Sequence, residues 1–164
     1  MSGIAIIPGG FDPVTVGHMD MVKRALKLFD EVYVVIFNNT AKKYMFTAHQ
    51  RLELLQMACD SLGDARVRVD ISHGLLADYA AEVRASAIVK GVRSFIDFDY
   101  EFQLSLINRT LNSEPETIFL PTKQEHQYIS STFVREMIIY NKPLEGFIPE
   151  VLLAKIGDII TKNE

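Results

Sequence analysis

Four groups of residues in this chain have the types and spacing to do chemistry. The first is Pro8 to His18, PGGFDPVTVGH, where Gly9 and Gly10 precede Thr15, Gly17 and His18. The second is Lys42 with Lys43, the third is Lys90-Gly91-Val92-Arg93, and the fourth is Ser130-Ser131-Thr132. Together they offer cations, hydroxyls and backbone N–H groups, with no evident pairing of a nucleophile and a base. Such a set suits phosphate. It points to phosphoryl or nucleotidyl transfer, where charge neutralisation and alignment carry most of the catalysis.

Each group also has a plainer reading. A lone histidine is more often a polar residue bonded to a nearby carbonyl. His18 reads differently because Thr15 is the expected N-cap, which puts Gly17 and His18 in the first helical turn beside unpaired N–H groups. The helix dipole disfavours added positive charge there, so His18 is expected to meet a bound anion or to donate as neutral imidazole. Gly9 and Gly10 can take positive φ and let a ligand approach the backbone. Lys42 and Lys43 alone would be solvated loop charges. Lys90 and Arg93 directly follow a buried strand and are expected to face an anionic partner. One of Ser130, Ser131 and Thr132 caps a helix, and three hydroxyls exceed what a cap requires.

Metal and cofactor motifs are missing. Asp97, Asp99 and Glu101 are spread around a helix start, which favours a dipole role, and His49, His73 and His126 lack zinc spacing. There is no GxGxxG, no GxxxxGK[ST] and no GxSxG. Cys59, the one cysteine, falls in a helical pattern and is expected to be a buried, inert thiol.

Composition sets the frame for these motifs. With 164 residues, one domain (1–164) with a real core is expected. A net charge of −4 argues against a general nucleic-acid or anionic-membrane binder, although it leaves room for a local basic pocket. No signal-peptide pattern opens the chain and no apolar run approaches the length of a membrane span, so a cytoplasmic protein is expected.

Hydrophobic periodicity supplies the elements that must position the motifs. Residues 4–7, 32–37, 66–71, 87–89 and 117–120 read as strands, with 66–71 alternating like a half-exposed strand near an edge. Helices are expected from Val16 to about 29, from Thr47 in a capping box with Gln50 to Leu62, and over 75–85. Three more are expected at 97–111, with Phe98, Phe102, Leu106 and Ile107 inward, at 133–140 and at 149–161. Strands alternating with helices imply a Rossmann-like α/β fold, an open parallel sheet with helices on both faces. Every polar group above then follows the carboxyl end of a strand, the edge where open α/β sheets bind ligands.

PGGFDPVTVGH, NTAKKYMF, KGVRSFIDFDYE and YISSTFVRE, in this order and spacing, resemble bacterial phosphopantetheine adenylyltransferase. That family belongs to the nucleotidyltransferase superfamily marked by (H/T)xGH. The similarity runs from Ile4 to about Ala154. It implies transfer of the adenylyl group of ATP to 4′-phosphopantetheine, with Mg²⁺ carried by ATP and a homohexameric assembly. By the same resemblance His18 is catalytic and contacts the ATP phosphates, and Gly10 and Phe11 touch ATP. Gly10 also lies by the acceptor phosphate, Lys42 and Lys90 hold it, and Leu76 lines the pantetheine arm. Gly91, Val92, Arg93 and Glu101 surround ATP, as do His126, Gln127, Tyr128, Ile129, Ser130, Ser131 and Thr132. Three positions depart from the family's habit. Gly10 stands for a threonine or serine, Lys90 for an arginine, and Thr132 for a serine. The alternatives are a sibling nucleotidyltransferase, such as a nicotinate-mononucleotide adenylyltransferase or a cytidylyltransferase, or a non-catalytic nucleotide-binding homologue.

Overall fold

Five short apolar runs lie side by side in one parallel sheet. The computed structural model describes residues 3–38 and 42–163. The strands are β1 (Ile4–Gly9), β2 (Glu31–Phe37), β3 (Val67–Ser72), β4 (Ala87–Val92) and β5 (Glu116–Pro121), in the spatial order β3-β2-β1-β4-β5. The chain thus builds outward from β1 in one direction, then returns to the other side of β1 for β4 and β5. This reversal places a crevice at the carboxyl ends of β1 and β4. Their pairing enforces it, since only Ala5–Ile6 and Ala87–Ile88 are in register. Beyond them the two strands part, and Gly9 no longer faces a partner on β4.

Helices cover both faces, as expected. One face buries Ile7, Val34, Ile36 and Val89 against α1 (Val16–Ala25), α2 (Ala48–Asp60), α5 (Ser131–Ile139) and α6 (Leu153–Asn163). Leu54, Leu55, Val134 and Ile156 are fully buried in that layer. The other face is thinner. There Ile6 and Val35 meet Tyr79 and Ala80 of α3 (Leu76–Glu82). β3 is an edge strand, with Arg66, Arg68 and Asp70 exposed. Cys59 is buried, and burial with the neighbouring Asp60 pushes its thiol up to about 12, which keeps it protonated and inert.

Two expectations change. The left-handed backbone residue in the opening turn is Phe11, with φ of 46°, while neither Gly9 nor Gly10 has positive φ. Glycine is needed at 9 for space instead, since a β-carbon there would come 2.9 Å from the Phe11 ring. The helix over 97–111 begins earlier, as α4 (Phe95–Leu111) with Ser94 as N-cap. Its expected inward face is not buried. Phe102 is 39% exposed, Leu106 48% and Ile107 57%. Phe98 does pack, edge-on to Phe119 of β5 and stacked on Phe102. Periodicity marks an apolar stripe, and this one reaches past the single sheet it has to cover.

Candidate active site

The turn after β1 is tied down by a buried carboxylate. Asp12 is 4% exposed, and its two oxygens accept from the N–H groups of Met45 (3.0 Å) and Phe46 (2.9 Å). Arg135 of α5 lies 3.5 Å from the same carboxylate and donates to the Asp12 carbonyl at 2.7 Å. Three segments distant in sequence are thereby held together: the glycine turn, the loop after β2, and α5. Arg51 adds a second tie, donating to the carbonyls of Phe46 and Gly10 and to Asn38 Oδ1. Sequence reasoning missed Asp12, Arg51 and Arg135 as scaffolding. The signal available was Asp12 before Pro13, an acid in a turn of apolar neighbours, and its partners lie too far along the chain for spacing to reveal.

His18 sits where the sequence put it, at the third residue of α1, and its side chain completes a capping box with Thr15. The Thr15 N–H donates to His18 Nδ1 at 3.0 Å. Nδ1 is therefore the acceptor, and the neutral ring carries its proton on Nε2. Phe11 packs edge-on to the imidazole, with centroids 5.0 Å apart. Burial first, and the Arg93 charge second, lower the His18 pKa from 6.5 to about 4. His18 is thus a neutral Nε2–H donor at pH 7, one of the two roles expected from its place at the helix dipole.

That shift has a measurable sign. The unfolded chain takes up this proton near pH 6.5, whereas the folded chain resists it down to about 4. The contribution of His18 to stability is complete above pH 6.5 and is lost as pH falls toward 4. The loss is up to about 3 kcal/mol. Denaturant unfolding of the ligand-free protein at pH 5 and pH 7 should show this decline, with His18→Gln flattening it.

The cations at the end of β4 do have anionic partners, and α4 supplies them. Lys90 Nζ lies 3.0 Å from Glu101 Oε2, and Arg93 Nε lies 2.9 Å from Asp97 Oδ2. Asp97 and Glu101 are therefore more than dipole complements: they hold Arg93, just past the end of β4, and Lys90 within it at the crevice. In α5, Ser130 is the cap, accepting from the Phe133 N–H at 3.0 Å. Ser131 spends its proton on the Pro13 carbonyl at 2.8 Å, and Thr132 accepts from Arg135 at 3.1 Å. Of the three hydroxyls, that of Ser131 ties α5 to the opening turn, while those of Ser130 and Thr132 are engaged at the helix's own start.

A cleft of about 890 Å³ opens over the carboxyl edge of β1 and β4. Gly10, Phe11, His18, Lys42, Leu76, Lys90 and Gly91 line it. So do Arg93, Glu101, His126, Ile129, Ser130, Ser131 and Thr132. Residues 39–41 of the polar loop before Lys42 lie outside the described residues. Val92, Gln127 and Tyr128 are not in the lining. The carbonyl of Val92 accepts from the Thr122 N–H, Gln127 Nε2 donates to the Arg93 carbonyl, and Tyr128 stands 66% exposed against Phe147. The cleft also takes in Asp20, Arg24 and Tyr44, which the sequence did not single out. His126 Nδ1 is buried without a hydrogen-bond partner among the described residues. Among the described residues no three His, Cys, Asp or Glu side chains converge to hold a metal ion.

The comparisons with known proteins agree with this geometry. A family model described as cytidylyltransferase-like matches residues 6–137, from β1 into α5. A phosphopantetheine adenylyltransferase of Caldanaerobacter subterraneus subsp. tengcongensis is 42% identical over 160 residues, covering 98% of this chain and 99% of that one. A solved structure described as a nicotinate-nucleotide adenylyltransferase, from Vibrio parahaemolyticus, superposes with a TM-score of 0.68 at 19% identity. It covers 98% of this chain and 99% of its own, and shares the fold. The match over β1, the TxGH turn and the start of α5, carried at this identity along nearly the whole length, means that the chain belongs to the cytidylyltransferase-like family and within it to the phosphopantetheine adenylyltransferases.

Proposed function

We propose that this protein transfers the adenylyl group of ATP to 4′-phosphopantetheine, giving dephospho-coenzyme A and pyrophosphate. The observation that carries the reading is a neutral His18 in the wall of a cation-lined cleft at the switch point of the sheet. An oxygen of the acceptor phosphate forms a bond to the α-phosphorus of ATP. The bond from that phosphorus to the pyrophosphate oxygen breaks, and pyrophosphate leaves with the electron pair. A phosphate monoester is largely dianionic at neutral pH, so the attacking oxygen needs no strong base. The task left to the protein is to bring anions together and stabilise charge as it moves.

The residues divide accordingly. His18 Nε2–H donates to the phosphates of ATP without adding charge at the helix N-terminus. Lys42 and Lys90 hold the acceptor phosphate, with Glu101 aiming Lys90 from α4. Leu76 lines the path of the pantetheine arm. Arg93, His126 and the start of α5 surround the nucleotide, with Gly91 lining the same cleft. Lys90 in place of an arginine keeps the charge and gives up two-pronged binding. Mg²⁺, when bound, screens the triphosphate. It would arrive bound to the phosphates of ATP. The exposed apolar stripe of α4 fits burial between copies in a homohexamer, whose mass by sedimentation would be six chains of 18.5 kDa. No helix among the described residues is long and apolar enough to cross a membrane, which fits work in the cytoplasm.

The test is pyrophosphate release with ATP and Mg²⁺, offered 4′-phosphopantetheine or nicotinate mononucleotide. Turnover with the pantetheine substrate alone is expected. Turnover with the mononucleotide instead, or with neither from folded protein, would overturn the reading.

A further inference from the structure

Gly10 and Tyr44 are brought into contact by the fold. A β-carbon placed on Gly10 would lie 3.3 Å from Tyr44 Cε1 and 3.8 Å from its hydroxyl oxygen. Tyr44 is half-buried and lines the cleft, as do Lys42 and Lys43. Its ring covers the Arg51 guanidinium, with 3.9 Å between the guanidinium carbon and the ring centroid. Arg51 is only 2% exposed and is fixed from three sides, through the carbonyls of Gly10 (2.9 Å) and Phe46 (3.2 Å) and Asn38 Oδ1 (2.6 Å). A buried guanidinium held in this way is a rigid platform, and a desolvated cation–π contact keeps the ring on it.

The arrangement delivers a phenol hydroxyl to the space beside the Gly10 backbone. A side chain at position 10 would compete with the ring for that space, so the two residues act as a pair. A phenol is a neutral donor. Next to an attacking phosphate oxygen this has an advantage over another cation: it orients the oxygen by a charge-assisted hydrogen bond while drawing off less of its negative charge.

We propose that Tyr44 binds the acceptor phosphate, its O–H donating to a phosphate oxygen between Gly10 and Lys42, with Arg51 holding the ring in register. The inference rests on the reading of the cleft as the site of a phosphopantetheine acceptor. The test is calorimetric titration of wild type and Tyr44→Phe, which keeps the ring on Arg51, with 4′-phosphopantetheine and with pantetheine lacking the phosphate. Loss of one hydrogen bond to a charged group predicts about tenfold weaker binding of 4′-phosphopantetheine. Affinity for pantetheine stays the same, and KM rises for the acceptor while KM for ATP does not. Equal affinity of both proteins for 4′-phosphopantetheine would overturn the role of Tyr44 alone. An equal loss for both ligands would overturn it too, because the hydroxyl would then not be reading the phosphate. A folded wild type that binds no 4′-phosphopantetheine would sink the assigned reaction, and this inference with it.

Discussion

Replacing His18 by alanine should lower kcat at least ~100-fold, the scale of one donor aimed at transition-state charge. The reasoning runs through the tautomer. The Thr15 N–H occupies Nδ1 at 3.0 Å, which leaves the proton on Nε2 of a ring that lines the cleft. A pKa near 4 keeps that proton in the donor role at neutral pH without a net charge. Alanine removes the donor and also the acceptor for the Thr15 N–H, so about 1 kcal/mol of stability should go with it. His18→Gln separates the two effects. Glutamine at the third helical position completes a capping box, so it should recover the stability, while its amide does not restore the ring donor at the same place. Thermal unfolding and steady-state rates on the two variants measure both parts. Wild-type kcat from either variant would show that His18 only caps α1.

Asp12→Ala should have the largest effect on stability, a loss of about 3 kcal/mol or more. The carboxylate is buried, and its removal strands the N–H groups of Met45 and Phe46 together with the Arg135 charge. The same bonds set the position of the loop that carries Lys42, so KM for the acceptor should rise along with the loss of stability. Asp12→Asn keeps one acceptor in place and should cost less on both counts. Urea unfolding gives the first quantity and initial rates at varied acceptor the second. An Asp12→Ala protein as stable as wild type would mean that the turn is held by its own backbone.

The sheet and its functional edge were legible because strand burial and turn chemistry are local signals. The run VYVVIF declares a buried strand, and Thr15 and Thr47 declare helix starts; the structure places both threonines as N-caps. What escaped was everything that depends on distant partners. Asp12 is recognised by N–H groups 33 and 34 residues away, and Arg135 reaches it across 123. Glu101 is revealed as the partner of Lys90 only by the packing of α4 on the β4–β5 edge, whereas Asp97 lies four residues after Arg93, a spacing the sequence does display. Phe11 took the left-handed conformation expected of the glycines beside it, since its ring needed the space that Gly9 leaves open. The exposure of the α4 stripe is not legible either, because periodicity reports that a face is apolar without saying what covers it.

The most direct measurement is the identity of the product. Protein in excess over 4′-phosphopantetheine, with ATP and Mg²⁺, should convert the acceptor to a species heavier by one adenylyl group in mass spectrometry, with one pyrophosphate per acceptor consumed. The dephospho-coenzyme A mass with matched pyrophosphate is the predicted result. AMP with an unchanged acceptor, or no change in either substrate from protein that binds both, would contradict it.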